Sequence, residues 1–204
     1  MAIAIRGSTP AIAHGAADPQ SVTLTGTRQP QTDDLLVIIH ANDFYALSNM
    51  PTPTVGGSTT GVTTIVDSDS GTNDAHAKCW RYVVPSTGDL TVAVDETGAA
   101  DEDKALIVYV LSGADTANPI DASGQQVDTG STTHICPSVS PPSSDAFLIC
   151  HTNTGTGAAT SSYTQPSGMT ETYDLVVASG GMSIGWRVCL NVFLYGETNV
   201  LPRN

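Results

Sequence analysis

The sequence predicts an all-β protein, an antiparallel jelly-roll-like β-sandwich with two internally related halves. Composition is the first reason. Charged residues make up 13% of the 204, against about 25% in an average soluble domain, and Gly, Ser, Thr and Ala stand in their place. With 40% hydrophobic residues a substantial core is available. The second reason is the pattern of short β-branched runs bounded by Gly, Pro, Asn, Asp or Ser: SVTLTG, LLVIIHA, GVTTIVD, KCWRYVV, LTVAVD, ALIVYVLSG, AFLICHT, YDLVVAS and RVCLNVFLYG. No segment carries a sustained helical period. The third reason is an internal repeat.

The stretch DDLLVIIHAN (33–42) returns as SDAFLICHTN (144–153). Setting Asp34 on Asp145, an offset of 111, places His40 on His151, Asn42 on Asn153 and Pro30 on Pro141 without a gap. Farther on, CWRYVV matches GWRVCL, setting Trp80 on Trp186 at an offset of 106, so one intervening loop is shorter in the second copy. Loops absorb such changes and strands do not. Two long copies do not make a solenoid. They fit one fused domain over 16–204, with halves at about 16–112 and 128–204 joined by a turn-rich connection at 113–127.

Strand by strand, alternation separates the faces. In LTVAVD, Leu90, Val92 and Val94 face one way, and Thr91, Ala93 and Asp95 the other. LLVIIH instead carries Leu36, Ile38 and His40 on one face and Leu35, Val37 and Ile39 on the other. ALIVYVL and AFLIC are also apolar on both faces. Something must cover the second face: a loop, a terminal arm or another subunit. These strands predict a homo-oligomer, with a trimer favoured. Residues 1–15 are expected to form an N-terminal arm, with Ile3, Ile5 and Ile12 as apolar anchors for a neighbour.

The net charge of −13, with 7 Lys+Arg, repels phosphate backbones and excludes nucleic acid as an expected partner. No apolar run approaches the length of a membrane span, and no signal peptide is apparent at the start, so a cytoplasmic site of synthesis is expected. The acidic run DETGAADEDK (95–104) reads as a solvated loop. The cysteines (Cys79, Cys136, Cys150, Cys189) show neither CxxC nor zinc spacing. Buried thiols are expected, with one disulfide left open.

Candidate chemistry is thin. His40 with Asn42, and His151 with Asn153, close equivalent strands, and the plain reading is a strand-end pair capping backbone at a turn. Asp67, Asp69 and Asp74 are weak calcium candidates. Counted from Asp67 as an EF-hand loop, the sixth place holds Thr72 and the twelfth Lys78, so that motif fails. GMSIG (181–185) fits G-x-S-x-G, but strand follows it and no His comes after Ser183. Trp80 and Trp186, each followed by Arg, read as core anchors. No catalytic residue and no cofactor is expected, and no enzyme activity.

The order DDLLVIIHA, PTPTVGG, CWRYVV, GDLTVAV and ALIVYVLSGADTANPIDA resembles bacteriophage virion proteins of the β-sandwich decoration and minor tail type, as does the second half through SDAFLICHT, TQPSGMTETYD and GWRV. The resemblance runs from about Ser21 to Tyr195. It implies a structural protein of the virion, assembled in the host cytoplasm. The expected role is capsid decoration (cement), with the major capsid protein as partner. The alternatives are a minor tail or tail-tip protein that recognises a host glycan and, in another class, a secreted carbohydrate-binding module.

Overall fold

A computed structural model describes residues 3–42, 50–69, 76–96, 104–125, 140, 146–154, 170–179 and 182–192, with side chains given no farther than His151 and not for Ser68 or Asp69. The chain is all-β: twelve antiparallel strands in these residues and one 3-10 turn, Gly26–Arg28. The strands are β1 (Ala4–Ile5), β2 (Ala11–Gly15), β3 (Gln20–Leu24), β4 (Leu35–Asn42), β5 (Thr54–Val55), β6 (Thr63–Asp69), β7 (His76–Val83), β8 (Leu90–Val94), β9 (Lys104–Ser112), β10 (Phe147–Thr154), β11 (Thr170–Ser179) and β12 (Met182–Val192).

One large sheet has the order β1-β9-β4-β7-β6, with β2 also paired to β9. A smaller sheet, β3-β8-β5, faces it. Alternation decides how they pack. Leu36 and Ile38 of β4, Leu106, Val108 and Val110 of β9 and Trp80 of β7 meet Val22 and Leu24 of β3, Val92 and Val94 of β8 and Val55 of β5. Each fully buried aliphatic side chain here contributes about 1.5–3 kcal/mol.

The opposite face of β4 and β9 is equally apolar. Leu35, Val37, Ile39, Ile107, Tyr109 and Leu111 form a second cluster. Phe147 and Ile149 of β10 pack on it, together with Ile3, Ile5, Ile12, Cys79, Val83 and Ala114. The large sheet is therefore a central layer, and the chain supplies the cover for both of its faces. The faces of β4 and β9 that the sequence offers to a neighbouring subunit are buried here without one, whereas residues 146–150 are half-buried.

The N-terminal segment is part of the same body. β2 pairs with β9 from Ala11↔Val108 to Gly15↔Lys104, and β1 pairs with the far end of β9 at Ile5↔Leu111. The segment expected as an arm is an edge of the central sheet, and its three isoleucines pack inside this chain. Gly7 turns the chain between β1 and β2 at φ +75°, where a Cβ would lie 2.5 Å from Arg28 Cγ, so this turn needs glycine. Arg6 then reaches Asp34 at the mouth of β4. Its Nε donates to Asp34 Oδ2, and its second guanidinium nitrogen to Oδ1 at 3.0 Å. The Gln31 N–H adds 2.8 Å to the same carboxylate. The hydrogen bond that Arg6 donates to Asp34 raises the Arg6 pKa.

The repeat is visible as topology. β4, β7 and β6 are neighbours in the central sheet, and β10, β12 and β11 form a sheet in the corresponding order. Each copy has one irregularity in its outer ladder, between Thr64 and Val66 and between Glu171 and Tyr173. The registers differ. Trp80 lies opposite Ile38, whereas Trp186 lies opposite Asn153, four residues beyond Ile149, the counterpart of Ile38.

Replacing Arg6 with Ala should leave the buried Asp34 carboxylate with one fewer charged partner. Because the Arg6 side chain is 25% exposed, the loss is expected at about 1–3 kcal/mol rather than the larger cost of breaking a fully buried pair. Urea denaturation of wild type, Arg6→Ala and Asp34→Asn measures it, with both variants shifted to lower midpoints.

Candidate functional site: a buried ionic cluster

The inward rows of three strands end in polar residues. On β4 the series Leu36, Ile38 continues into His40 and Asn42. On β9 the row Val110, Val108, Leu106 ends at Lys104. On the facing sheet, Val92 and Val94 of β8 are followed at the next inward place by Glu96. Register aligns these ends: Asn42 is the direct partner of Lys104 on one side and of His76 on the other. His40, Asn42, His76 and Lys104 have no exposed surface, and Glu96 is 1% exposed.

Glu96 is the hub. Asn42 Nδ2 donates to Glu96 Oε1 at 2.8 Å, and His40 Nδ1 stands 3.3 Å from the same oxygen. Lys104 Nζ lies 3.7 Å from Glu96 Oε2 and 3.4 Å from Asp18 Oδ1. The Glu96 backbone N–H donates to Asp18 Oδ1 at 2.9 Å. Asp18 sits in the β2–β3 connection, where Gln20 Nε2 donates to the Gly15 and Ala17 carbonyls at 2.7 and 2.9 Å. Among the described residues, Asn42 Oδ1, Glu96 Oε2 and Lys104 Nζ make no hydrogen bond of good geometry. Glu96 Oε2 and Lys104 Nζ are held by long ion pairs and the amide oxygen Asn42 Oδ1 by none, an arrangement that costs stability.

Burial sets the protonation. It lifts the Glu96 carboxyl from 4.5 to about 7, against the pull of Lys104 and of the Asn42 hydrogen bond. It pushes His40 down from 6.5 to about 3, with the Lys104 charge in the same direction. His151 is lowered to about 4 by burial alone. At neutral pH the cluster therefore holds a neutral imidazole and a carboxyl near its midpoint, which can both give and take a proton.

Of the residues singled out from sequence, His40 and Asn42 come together here. They lie inside the sandwich beside Glu96, which follows β8 of the facing sheet; Asn42 is hydrogen-bonded to it and His40 stands 3.3 Å from it, and neither caps a turn. Their counterparts His151 and Asn153 lie on β10 in another sheet. Trp80 is fully buried among the apolar residues beside Ile38, and Trp186 has the equivalent place in strand order on β12. Lys78 lies 6.0 Å from the Trp80 ring centroid. Asp67 is paired with Lys78 at 2.9 Å, Asp69 is on β6 opposite His76, and Asp74 falls outside the described residues. Among the described residues no three His, Cys, Asp or Glu gather to hold a metal ion. Ser183 of GMSIG is on β12 opposite Ala178, a strand position. Cys79 is a free thiol pushed up to about 12 by burial. Cys150 is disulfide-bonded, and its register partner is Cys189.

Of the acidic run at 95–104, read from its charge as a solvated loop, Asp95 is exposed, Glu96 and Lys104 are buried, and residues 97–103 lie outside the described residues. Glu96, Lys104 and Asp18 are the site residues that motif reading missed. The signal available was alternation carried one step past each apolar run. Comparison with family models, with curated proteins and with solved structures finds no match for this chain.

Of the shifted groups, His40, His151 and Glu96 give a pH dependence between acid and neutral pH. His40 and His151 bind protons more weakly in the fold than in the unfolded chain, so their contribution is present above pH 6.5 and lost as pH falls toward 3–4. Glu96 binds its proton more tightly in the fold, so its contribution is present below 4.5 and lost as pH rises to about 7. Between 4.5 and 6.5 the two histidines outweigh the one carboxyl, so stability should fall with acid by about 1.4 kcal/mol per pH unit, the equivalent of one proton. Denaturation midpoints across this range should show that slope, and Glu96→Gln should steepen it.

Proposed function

We propose that the chain is a structural protein of a bacteriophage virion and that its role is capsid decoration: binding to the outside of an assembled head and stapling neighbouring capsid subunits. The motif order that resembles phage virion proteins carries this reading. The apolar faces of β4 and β9, which the sequence offered to a neighbour, are covered within the chain and so lend it no support; a self-covered body of this kind is compatible with a chain that folds by itself and is then added to a finished shell.

Charge supports it as well. With a net charge of −13 and Lys104 buried, the surface is strongly acidic. That composition keeps a component soluble at high copy number and away from packaged nucleic acid. A decoration protein acts through contact area repeated over many sites, not through turnover. Self-association into a trimer belongs to this reading but takes no support from β4 and β9, whose faces the chain already covers.

The test is made on the source particles. Quantitative gels should find this protein in many copies per head. Particles lacking it should assemble yet lose their contents on heating or at low ionic strength. A few copies per particle, with intact heads and failed adsorption, would move the protein to the tail.

A further inference from the structure

Lysine is almost never fully buried unless it is well paired, and Lys104, with no exposed surface, finds charged partners among the described residues only at 3.4 and 3.7 Å. Its direct cross-strand neighbour is a buried amide, Asn42. Side chains so placed have Cβ atoms about 4.5–5.5 Å apart, a gap that a folded lysine stem bridges. One carboxyl lies beside both groups: Glu96 Oε1 accepts from Asn42 Nδ2 at 2.8 Å, and Oε2 lies 3.7 Å from Lys104 Nζ. A buried amine, a buried amide and a carboxyl between them, closed off from water, form the reactant set of a transamidation.

We propose that Lys104 and Asn42 are joined by an intramolecular isopeptide bond, formed by the folded chain itself with Glu96 as the proton carrier.

The step balances with no co-reactant. Nζ gives one proton to Glu96 Oε2, which exchanges a buried ion pair for two neutral groups. The Nζ lone pair attacks Asn42 Cγ, forming the C–N bond and moving the carbonyl electron pair onto Oδ1. The tetrahedral carbon then collapses. Oδ1 re-forms its double bond to Cγ, and the Cγ–Nδ2 bond breaks with its electron pair going to nitrogen. Nδ2 takes the carboxyl proton of Glu96, and Glu96 takes the surplus proton from Nζ. The products are a secondary amide, one ammonia and a protonated Glu96. The raised pKa of Glu96 suits it to hold and pass that proton near neutrality. His40, neutral beside Oε1, places no positive charge there to hold the carboxyl ionised.

Asp18 is the competing acceptor, since its Oδ1 is the closer oxygen to Nζ. Its reaction would expel water instead of ammonia. A carboxylate resists attack by an amine, and this one is 12% exposed and accepts the Glu96 N–H. Asn42 is neutral, buried, and already bonded to the proton carrier.

The mass of the intact chain, purified as the full protein, denatured and with its disulfide reduced, decides the matter. The expected value is the sequence mass less one ammonia per chain, with protease digestion yielding one branched peptide that contains both Asn42 and Lys104. Lys104→Arg and Glu96→Gln should each show the full mass of the altered sequence, with circular dichroism recording whether the variant has folded. A cooperatively folded wild-type chain at its full sequence mass overturns the proposal. So does a loss of one water mapped to Asp18, or an ammonia loss without the branched peptide.

Discussion

Two strands without a polar face govern this molecule. β4 and β9 lie side by side and present apolar side chains above and below, so the sheet they form cannot be an outer layer in water. Everything else is arranged to cover it. The β3-β8-β5 sheet lies over Leu36, Ile38, Leu106, Val108 and Val110. β10 lies over Leu35, Val37, Ile39, Ile107, Tyr109 and Leu111. The N-terminal strands extend the edge at β9, and the Arg6–Asp34 pair holds them where β4 begins. Phe147 and Ile149, at the start of the second copy of the repeat, thus help to cover the first.

The same constraint creates the polar cluster. Inward rows that are apolar along most of their length terminate in His40, Asn42, Lys104 and Glu96 at one end of the sandwich. Water could satisfy such groups only from outside, and their burial denies it. What remains is a small set of internal partners around one carboxyl, with distances too long to compensate fully for lost hydration. Ionic groups retained in such a place weigh against stability, so a purpose other than packing is the natural explanation for keeping them.

Much of this was legible in the sequence, and the parts that were not share a cause. Alternation separated Leu36, Ile38 and His40 from Leu35, Val37 and Ile39, and placed Leu90, Val92 and Val94 on one face, because strand geometry is local. It showed that a second face needed covering. It did not show that Phe147 and Ile149 would cover it, since that contact joins segments well separated along the chain and leaves no trace in either segment alone. AIAHG was read with the arm because small residues dilute its β pattern; pairing with β9 makes it a strand. The run ending in Lys104 was read by its charge. Counting inward places from Val94 forward and from Leu106 backward would have put Glu96 and Lys104 inside. Even then, only the registry of β4 against β9 brings Asn42 and Lys104 face to face.

The slipped registry of β12 against β10 carries a lesson about how such twin bodies diverge. The Trp strand has moved by four places against its partner, an even number, so the up-and-down order of the pleat is unbroken. A displacement of one place would have turned every buried position outward at once. Drift between the copies is therefore quantised: paired strands in a duplicated sandwich can travel in double steps, and the intermediate single step is closed to them.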